Sequence, residues 1–230
     1  MKITWLGHSG FRIEIGDQIL LVDPWLTGNP MFEGQDRDAA IRDATHILLS
    51  HGHGDHSGDA LGIARALGIP IVGIYDLMSH WEATEDVAAL GFNKGGTVRL
   101  GDVAVTMVGA THSSSLPGEG GPVYAGAEAG YMIAGEGQVI YVSGDTDVMA
   151  DMGVFQALHN PDIGILCAGG HFTMDMKRAA YAARTFFDFK TVIPCHYKTF
   201  PLLEQDATAL IEGLPGVNVV EPQVMVAIEV

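Results

Sequence analysis

Residues 50–58 place four potential metal ligands within six positions, and this segment constrains the fold more than any other. The ligands are His51, His53, Asp55 and His56, with glycines between them. Imidazole nitrogens and carboxylate oxygens are the usual protein donors to Zn²⁺, Mn²⁺ or Fe²⁺. The apolar run 47–49 precedes the segment and is typical of a buried strand. We therefore expect a strand that ends at a rigid edge and carries this loop into a metal site.

Three more ligand-type residues occur later in the chain, each just past a short apolar run that is typical of a strand. They are His112, Asp145 and His196. If these strand ends share one edge of the fold, five histidines and two aspartates converge. This number of donors exceeds the four positions of one tetrahedral ion, which favours two metals.

The donors are assigned to two ions and a bridge: His51, His53 and His112 to the first ion, Asp55, His56 and His196 to the second, and Asp145 between them. A bridging carboxylate sets a separation of ~3.5–4 Å, at which a shared hydroxide fits. We expect two divalent ions per chain, with Zn²⁺ as the first choice. Mn²⁺, Ni²⁺ and Fe²⁺ are alternatives, because mixed nitrogen and oxygen donors accept several metals.

The charge balance limits the classes of molecule that the protein is expected to bind. Twelve basic and 28 acidic residues give a net charge of −16, and the basic residues are scattered, so nucleic acid is expected to be repelled. No leader peptide, membrane-spanning run or disulfide framework is visible, which favours a cytoplasmic location. We expect a small-molecule substrate and no nucleic-acid or membrane partner. The charged fraction of 17% is compatible with a homo-oligomer.

Predicted strands come first in each half of the chain, and predicted helices follow. This order favours an α+β fold, an αβ/βα four-layer sandwich of two mixed sheets packed face to face with helices outside. No linker divides the chain, so a single domain over residues 1–230 is expected. Local patterns also predict a helix over 77–90, a loop over 113–122 and a helix over 202–214.

The donor motif, together with the later His112 and Asp145, resembles the metallo-β-lactamase superfamily. The segments 5–11, 22–25 and 193–201 are similar to a branch of small metal-dependent hydrolases near the ascorbate-6-phosphate lactonases. The resemblance covers the whole chain and implies the sandwich fold and the two-metal assignment. It implies no particular substrate.

Five residues have further candidate roles. His171 precedes a predicted helix and could orient substrate or protonate a leaving group, or be a loop histidine bonded to backbone. His8 could line the substrate pocket or serve the structure, and Lys198 could place a cation near a bound anion or be solvated. Asp55 is also a candidate proton acceptor when the substrate bond breaks. Asp23 is expected to hold the histidine loop by hydrogen bonds.

Three classes of function are compatible with these residues. The leading hypothesis is a metal-dependent hydrolase whose bridging hydroxide cleaves an ester, lactone or phosphodiester of a small metabolite. A mononuclear iron dioxygenase is the alternative enzyme, because its ligands overlap with the first-ion set. A non-catalytic metal-binding protein is the third class, but an open bridged site is unusual for a purely structural metal.

Overall fold

Sixteen strands and seven helices make up the fold, and the computed structural model describes residues 1–230. The strands are β1 (Lys2–Trp5), β2 (Phe11–Ile15), β3 (Gln18–Val22), β4 (His46–Leu48), β5 (Ile71–Ile74), β6 (Ala89–Phe92), β7 (Thr97–Leu100), β8 (Val103–Gly109), β9 (Ser115–Gly118), β10 (Gly121–Tyr124), β11 (Ala129–Gly135), β12 (Gln138–Val142), β13 (Ile163–Cys167), β14 (Thr191–Cys195), β15 (Asn218–Val219) and β16 (Ala227–Glu229). The helices are α1 (Arg37–Ile41), α2 (Gly54–Ser57), α3 (Ala60–Leu67), α4 (Tyr75–Thr84), α5 (Met152–His159), α6 (Met176–Phe186) and α7 (Thr208–Gly213).

The strands form two seven-stranded sheets and one separate hairpin. The first sheet has the order β16-β1-β2-β3-β4-β5-β6 and the second β15-β14-β13-β12-β11-β8-β7, while β9 pairs with β10. Both sheets are mixed, since pairing is parallel from β3 to β6 and from β12 to β15 and antiparallel elsewhere. The predicted α+β sandwich with two mixed sheets is confirmed.

Strand burial follows from the layers. Strand β2 alternates between buried and half-buried residues, whereas every residue of β13 is buried. A strand that is covered on both faces needs apolar residues at every position, as in the run Ile163–Cys167. One core cluster of 62 buried residues includes residues of both sheets and of the helices. None of the helices combines the length and the hydropathy needed to cross a bilayer.

All the strands that lead to ligand-type residues point towards one edge of the sandwich. In the first sheet, β1 and β3 are both antiparallel to β2, and β4 is parallel to β3. In the second sheet, β8 and β12 are both antiparallel to β11, and β12 to β14 run parallel. The two edges meet, because the backbone N–H of His196 donates to the carbonyl of His8 at 2.9 Å and that of Ala129 donates to Ser50 at 3.0 Å.

Three local predictions were wrong in extent. The helix predicted over 77–90 ends at Thr84, and Asp86 has a φ of +51°, which lets residues 89–92 pair with β5 as a strand. The loop predicted over 113–122 contains the hairpin β9–β10. The helix predicted over 202–214 begins only at Thr208. In each case pairing or turn contacts outside the local pattern decide the structure.

Candidate metal centre

The seven predicted ligands lie together at this edge, and one carboxylate oxygen connects three of them. Oδ2 of Asp145 is 3.1 Å from Nε2 of His196, 3.3 Å from Nε2 of His56 and 3.5 Å from Nε2 of His112. These imidazoles come from three separate segments of the chain. A single buried oxygen is therefore surrounded by nitrogen donors that the sequence places far apart.

One ligand atom per residue lies within 4.8 Å of the others in three groups of donors, and one group, Asp23, His51 and His56, shares a histidine with each of the other two. We call these other two the inner group, which comprises His8, Asp55, His56 and His196, and the outer group, which comprises His51, His53 and His112. In the inner group, Oδ2 of Asp55 is 3.9 Å from Nε2 of His56 and 3.8 Å from Nε2 of His196. In the outer group, Nε2 of His51 is 2.9 Å from Nδ1 of His53. The structure brings together the members of each predicted ligand set, with His8 beside the second set, and their roles as ligands stay predictions.

Unpaired buried atoms show that the donor set fits a cation. Nε2 of His56 and Oδ1 of Asp145 are buried and have no hydrogen-bond partner. A buried polar atom without a partner costs about 1–3 kcal/mol. Nitrogen and oxygen lone pairs that converge in this way suit a divalent metal, which would satisfy these atoms together. The residues present therefore fit the metals that the sequence predicts.

Burial and the neighbouring charges prepare these groups for ligation. Burial holds the pKa of His51 well below its usual value, and burial lowers the pKa of His8 to about 4, so both rings are neutral at pH 7. Burial opposes ionisation of Asp145, but His196 and His56 hold its pKa well below the usual range. Burial also opposes a charge on His56, but Asp145 and Asp23 raise its pKa well above normal. A bound metal ion would compete with the proton on His56, because the same carboxylates attract both.

Asp23 holds the histidine loop, as expected from the sequence. Its Oδ1 accepts the backbone N–H of Ser50 at 2.7 Å, and its Oδ2 accepts Nδ1–H of His56 at 2.8 Å and the Ser50 hydroxyl at 2.5 Å. The Ser50 oxygen is also 3.0 Å from Nδ1 of His51. Both oxygens of Asp23 are therefore engaged with the loop. The bond to Nδ1 directs Nε2 of His56 towards the donor cluster, as carboxylates do around many metal-bound histidines.

His8 contacts Asp55 and is fully buried. Its Nε2 is 3.0 Å from Oδ2 of Asp55, and its Nδ1 is 2.8 Å from the Thr199 hydroxyl. Both ring nitrogens already have hydrogen-bond partners, so this placement does not favour a contact between His8 and substrate. That contact stays a prediction. Sequence reasoning did not assign His8 to the donor cluster. The available signal was its position directly after a strand that points towards the same edge.

His171 and Lys198 lie outside both donor groups. His171 is exposed in the loop after β13, where it lines a polar cleft of about 300 Å³ beside Arg178. Gly169 allows this loop to pass against His196, because a Cβ at this glycine would come within 2.1 Å of the His196 carbonyl oxygen. Nζ of Lys198 is 3.1 Å from Oε2 of Glu221. The roles of His171 and Lys198 stay predictions.

Three of the nine non-glycine residues with a positive φ belong to this site. His8, Asp23 and His196 have φ angles of +52°, +44° and +60°, in the left-handed region that favours glycine. Such residues persist only where the surrounding contacts hold them, and they cluster at functional sites. The hydrogen bond from His196 N–H to the His8 carbonyl is one of these contacts. The three residues are therefore held in place by the packing of both sheets.

The chain is similar to known proteins over its whole length. Residues 18–197 match the family described as the β-lactamase superfamily domain. The chain is 71% identical over 229 residues to the UPF0173 metal-dependent hydrolase of Dinoroseobacter shibae, and the match covers 100% of both chains. It superimposes with a TM-score of 0.84 on Igni18, a metallo hydrolase from the archaeon Ignicoccus hospitalis, at 30% identity, covering 100% of this chain and 98% of Igni18.

Proposed function

Since the chain belongs to the β-lactamase superfamily of metal-dependent hydrolases, we propose that it holds two divalent ions and cleaves an ester, lactone or phosphodiester of a small metabolite. The contacts of Asp145 carry this conclusion. Its Oδ2 lies 3.3 Å from His56 of the inner group and 3.5 Å from His112 of the outer group. One carboxylate oxygen that touches donors of both groups is suited to bridge two ions. Zn²⁺ is the first choice of metal, because imidazoles dominate the set.

The protein's own contribution is the placement of donors before any metal arrives. When bound, the ions supply Lewis acidity and lower the pKa of coordinated water towards about 7. The outer group would hold one ion, and Asp55, His56 and His196 of the inner group would hold the other. His8 fixes the carboxylate of Asp55 through its 3.0 Å contact, and Asp23 fixes the ring of His56. The site is therefore rigid on its inner side, as a preorganised centre requires.

Two residues are proposed to move protons. Asp55 is about one-third exposed, whereas Asp145 is only 2% exposed, so Asp55 is the cluster carboxylate that substrate and solvent reach. We assign to it the acceptance of a proton as the scissile bond breaks. His171 is exposed in the loop that packs against His196, and it is assigned to protonation of the leaving group.

The substrate is proposed to be small. The net charge of −16 disfavours nucleic acid, so a metabolite that meets the ions directly is the better match. Both cysteines are free and buried, which agrees with the cytoplasmic location expected from the sequence.

The proposal is tested by zinc titration of the metal-free protein and a turnover screen over lactones, carboxylic esters and phosphodiesters. We expect two ions per chain, and turnover that requires them. Asp145→Ala is expected to lose the second equivalent of zinc and to lower kcat/KM by about 10³, since it removes the bridge. Asp147→Ala is the matched control, because this nearby carboxylate is exposed and pairs with Arg178. Equal losses in both variants would contradict the role of Asp145.

Other outcomes of these experiments distinguish the two remaining classes of function. Oxygen consumption by the iron-loaded protein, without hydrolysis by the zinc form, would replace the hydrolase proposal with the mononuclear iron dioxygenase. Metal binding that stabilises the fold without turnover of any compound would identify a binding protein. His171→Ala tests the acid role separately: we expect unchanged zinc content with a kcat at least 10² lower. An unchanged kcat would remove His171 from the mechanism.

A further inference from the structure

A cavity of about 440 Å³ lies between the hairpin β9–β10 and the start of α4. Its walls are mostly apolar and include Leu77, Leu116, Val123 and Tyr124. This volume lies within the range of small-molecule sites, which are typically concave, apolar and lined by a few polar groups. The donor residues do not line it, and none of the roles assigned above uses it.

The cavity shares a wall with the outer group of donors. Ala125 lines the cavity, and a Cβ at Gly52 would stand 2.8 Å from the Cβ of Ala125. The backbone N–H of Gly52 donates to the Ser114 hydroxyl at 3.1 Å, and the Ser113 hydroxyl is 3.4 Å from Nε2 of His53. The donor loop is thus in direct contact with residues 113–114, which lead into the hairpin.

The hairpin presents apolar side chains that the rest of the protein leaves uncovered. Val123 is 55% exposed and Tyr124 is 74% exposed, and Tyr75 at the start of α4 is 55% exposed. The hairpin belongs to neither large sheet, so these residues do not complete the core. Exposed apolar surface beside a cavity is typical of a ligand site. Because the cavity lies next to the donor loop, its position favours the substrate as the occupant.

The charges around the cavity define which substrate group fits. Asp76 lines the cavity beside His80, and the chain carries a net charge of −16. An anionic group would be desolvated next to a carboxylate, which is unfavourable. We propose that the cavity binds a neutral alkyl or aryl group of the substrate, so that the enzyme prefers esters or lactones with such a substituent. This rests on the hydrolase function proposed above.

Binding is tested without turnover, with the neutral fluorophore N-phenyl-1-naphthylamine and the metal-free protein. We expect one site per chain, with binding at least tenfold weaker in Leu116→Trp, which fills the cavity, and in Val123→Asp, which charges its mouth. Val123 is exposed, so its substitution does not depend on repacking the core. Leu158→Trp is the matched control, because Leu158 is 72% exposed on α5. Binding that is equal in all four proteins would overturn the proposal.

Turnover is then measured for the zinc-loaded protein on γ-butyrolactone and γ-decalactone. We expect wild type to prefer the longer lactone, and Val123→Asp to reduce that preference about tenfold, mainly through KM. Failure to hydrolyse either lactone, together with no turnover in the screen of esters and phosphodiesters, counts against the hydrolase proposal. Displacement of the fluorophore by γ-decalactone still supports the cavity as its site. Absence of fluorophore binding, with a wild-type dimer that Val123→Asp dissociates in sedimentation velocity, would assign the surface to a second copy of the chain and overturn the proposal.

Discussion

The inner and outer groups of donors differ in burial, although they lie side by side. The three histidines of the inner group, His8, His56 and His196, are at most 1% exposed. In the outer group, His51 is buried, but His53 and His112 are partly exposed. The inner histidines are thus continuous with the core, whereas Asp55 and the exposed parts of His53 and His112 form the surface that a substrate meets.

The two groups also differ in what holds them. The inner His56 is bonded to a buried carboxylate, Asp23, and the inner His8 is bonded to Thr199. The outer His53 contacts another ligand at 2.9 Å and the exposed Ser113 at 3.4 Å. A ligand fixed by buried hydrogen bonds loses little freedom when a metal binds, but an exposed one must be ordered. If two ions bind as proposed, we expect the inner ion to be held tightly and the outer ion to exchange more readily.

Substitution of His56 by alanine is expected to have the largest effect, because it removes a ring that connects the inner group to buried carboxylates. Nδ1–H of His56 donates to Asp23, and its Nε2 is 3.3 Å from Asp145. Removal of the ring leaves two buried carboxylates short of a partner. We expect the free energy of unfolding of the metal-free protein to fall by about 3–5 kcal/mol. Urea denaturation followed by circular dichroism measures this loss, and a loss below about 1 kcal/mol would show that the inner group is not integrated into the core.

Asp23→Asn is expected to have the next largest effect, this time on metal affinity. Asparagine presents a neutral amide in place of the carboxylate that accepts from both the Ser50 hydroxyl and Nδ1–H of His56. The ring of His56 therefore loses its fixed orientation. We expect zinc to bind 10–100-fold more weakly, as is typical when the partner of a ligating histidine is removed. Competition with a chromophoric chelator measures the affinity.

Asp59→Asn is the matched control for that experiment. Asp59 is also buried, but its carboxylate accepts from the backbone N–H groups of Leu26 and Thr27 and from the Thr27 hydroxyl. We expect its substitution to lower stability while changing zinc affinity less than about threefold. Similar affinity losses in both variants would mean that general loosening, and not the bond from His56, explains the effect of Asp23→Asn.

The convergence of the donors could be predicted from the sequence because strand direction limits where chain segments end. His112, Asp145 and His196 each follow an apolar run, and strands of one direction finish at one edge. The supporting role of Asp23 followed from the chemistry of liganding histidines. These inferences use local patterns and one general rule of sheet geometry, so they needed no knowledge of side-chain packing.

The contacts that distinguish the inner from the outer group could not be predicted. His8 meets Asp55 where the backbone of residue 8 takes a φ of +52° and its carbonyl accepts the N–H of His196. The hairpin over 115–124 and the strand over 89–92 depend on pairing partners that a local pattern does not reveal. Nonlocal hydrogen bonds decide these features, and a short window of sequence contains only one partner of each.

His53→Ala tests the difference between the two groups by a substitution in the outer group. His53 is partly exposed, and its ring contacts His51 and Ser113 without a buried carboxylate partner. We expect the metal-free protein to lose less than about 1 kcal/mol of unfolding free energy. Zinc titration is expected to show one equivalent retained and one lost. Retention of both equivalents would remove His53 from the ligand set, and loss of both would show that the two ions bind as one unit.

Ser113→Ala is expected to have the smallest effect, because its contact with Nε2 of His53 is long and exposed. At 3.4 Å the hydroxyl is at the limit of a hydrogen bond, and water replaces an exposed partner at little cost. We expect zinc affinity to change less than about threefold and stability by less than about 0.5 kcal/mol, measured by chelator competition and urea denaturation. A tenfold loss of affinity would show that the outer group depends on fixed support as the inner group does, and the contrast between a rigid inner ion and an exchangeable outer ion would no longer hold.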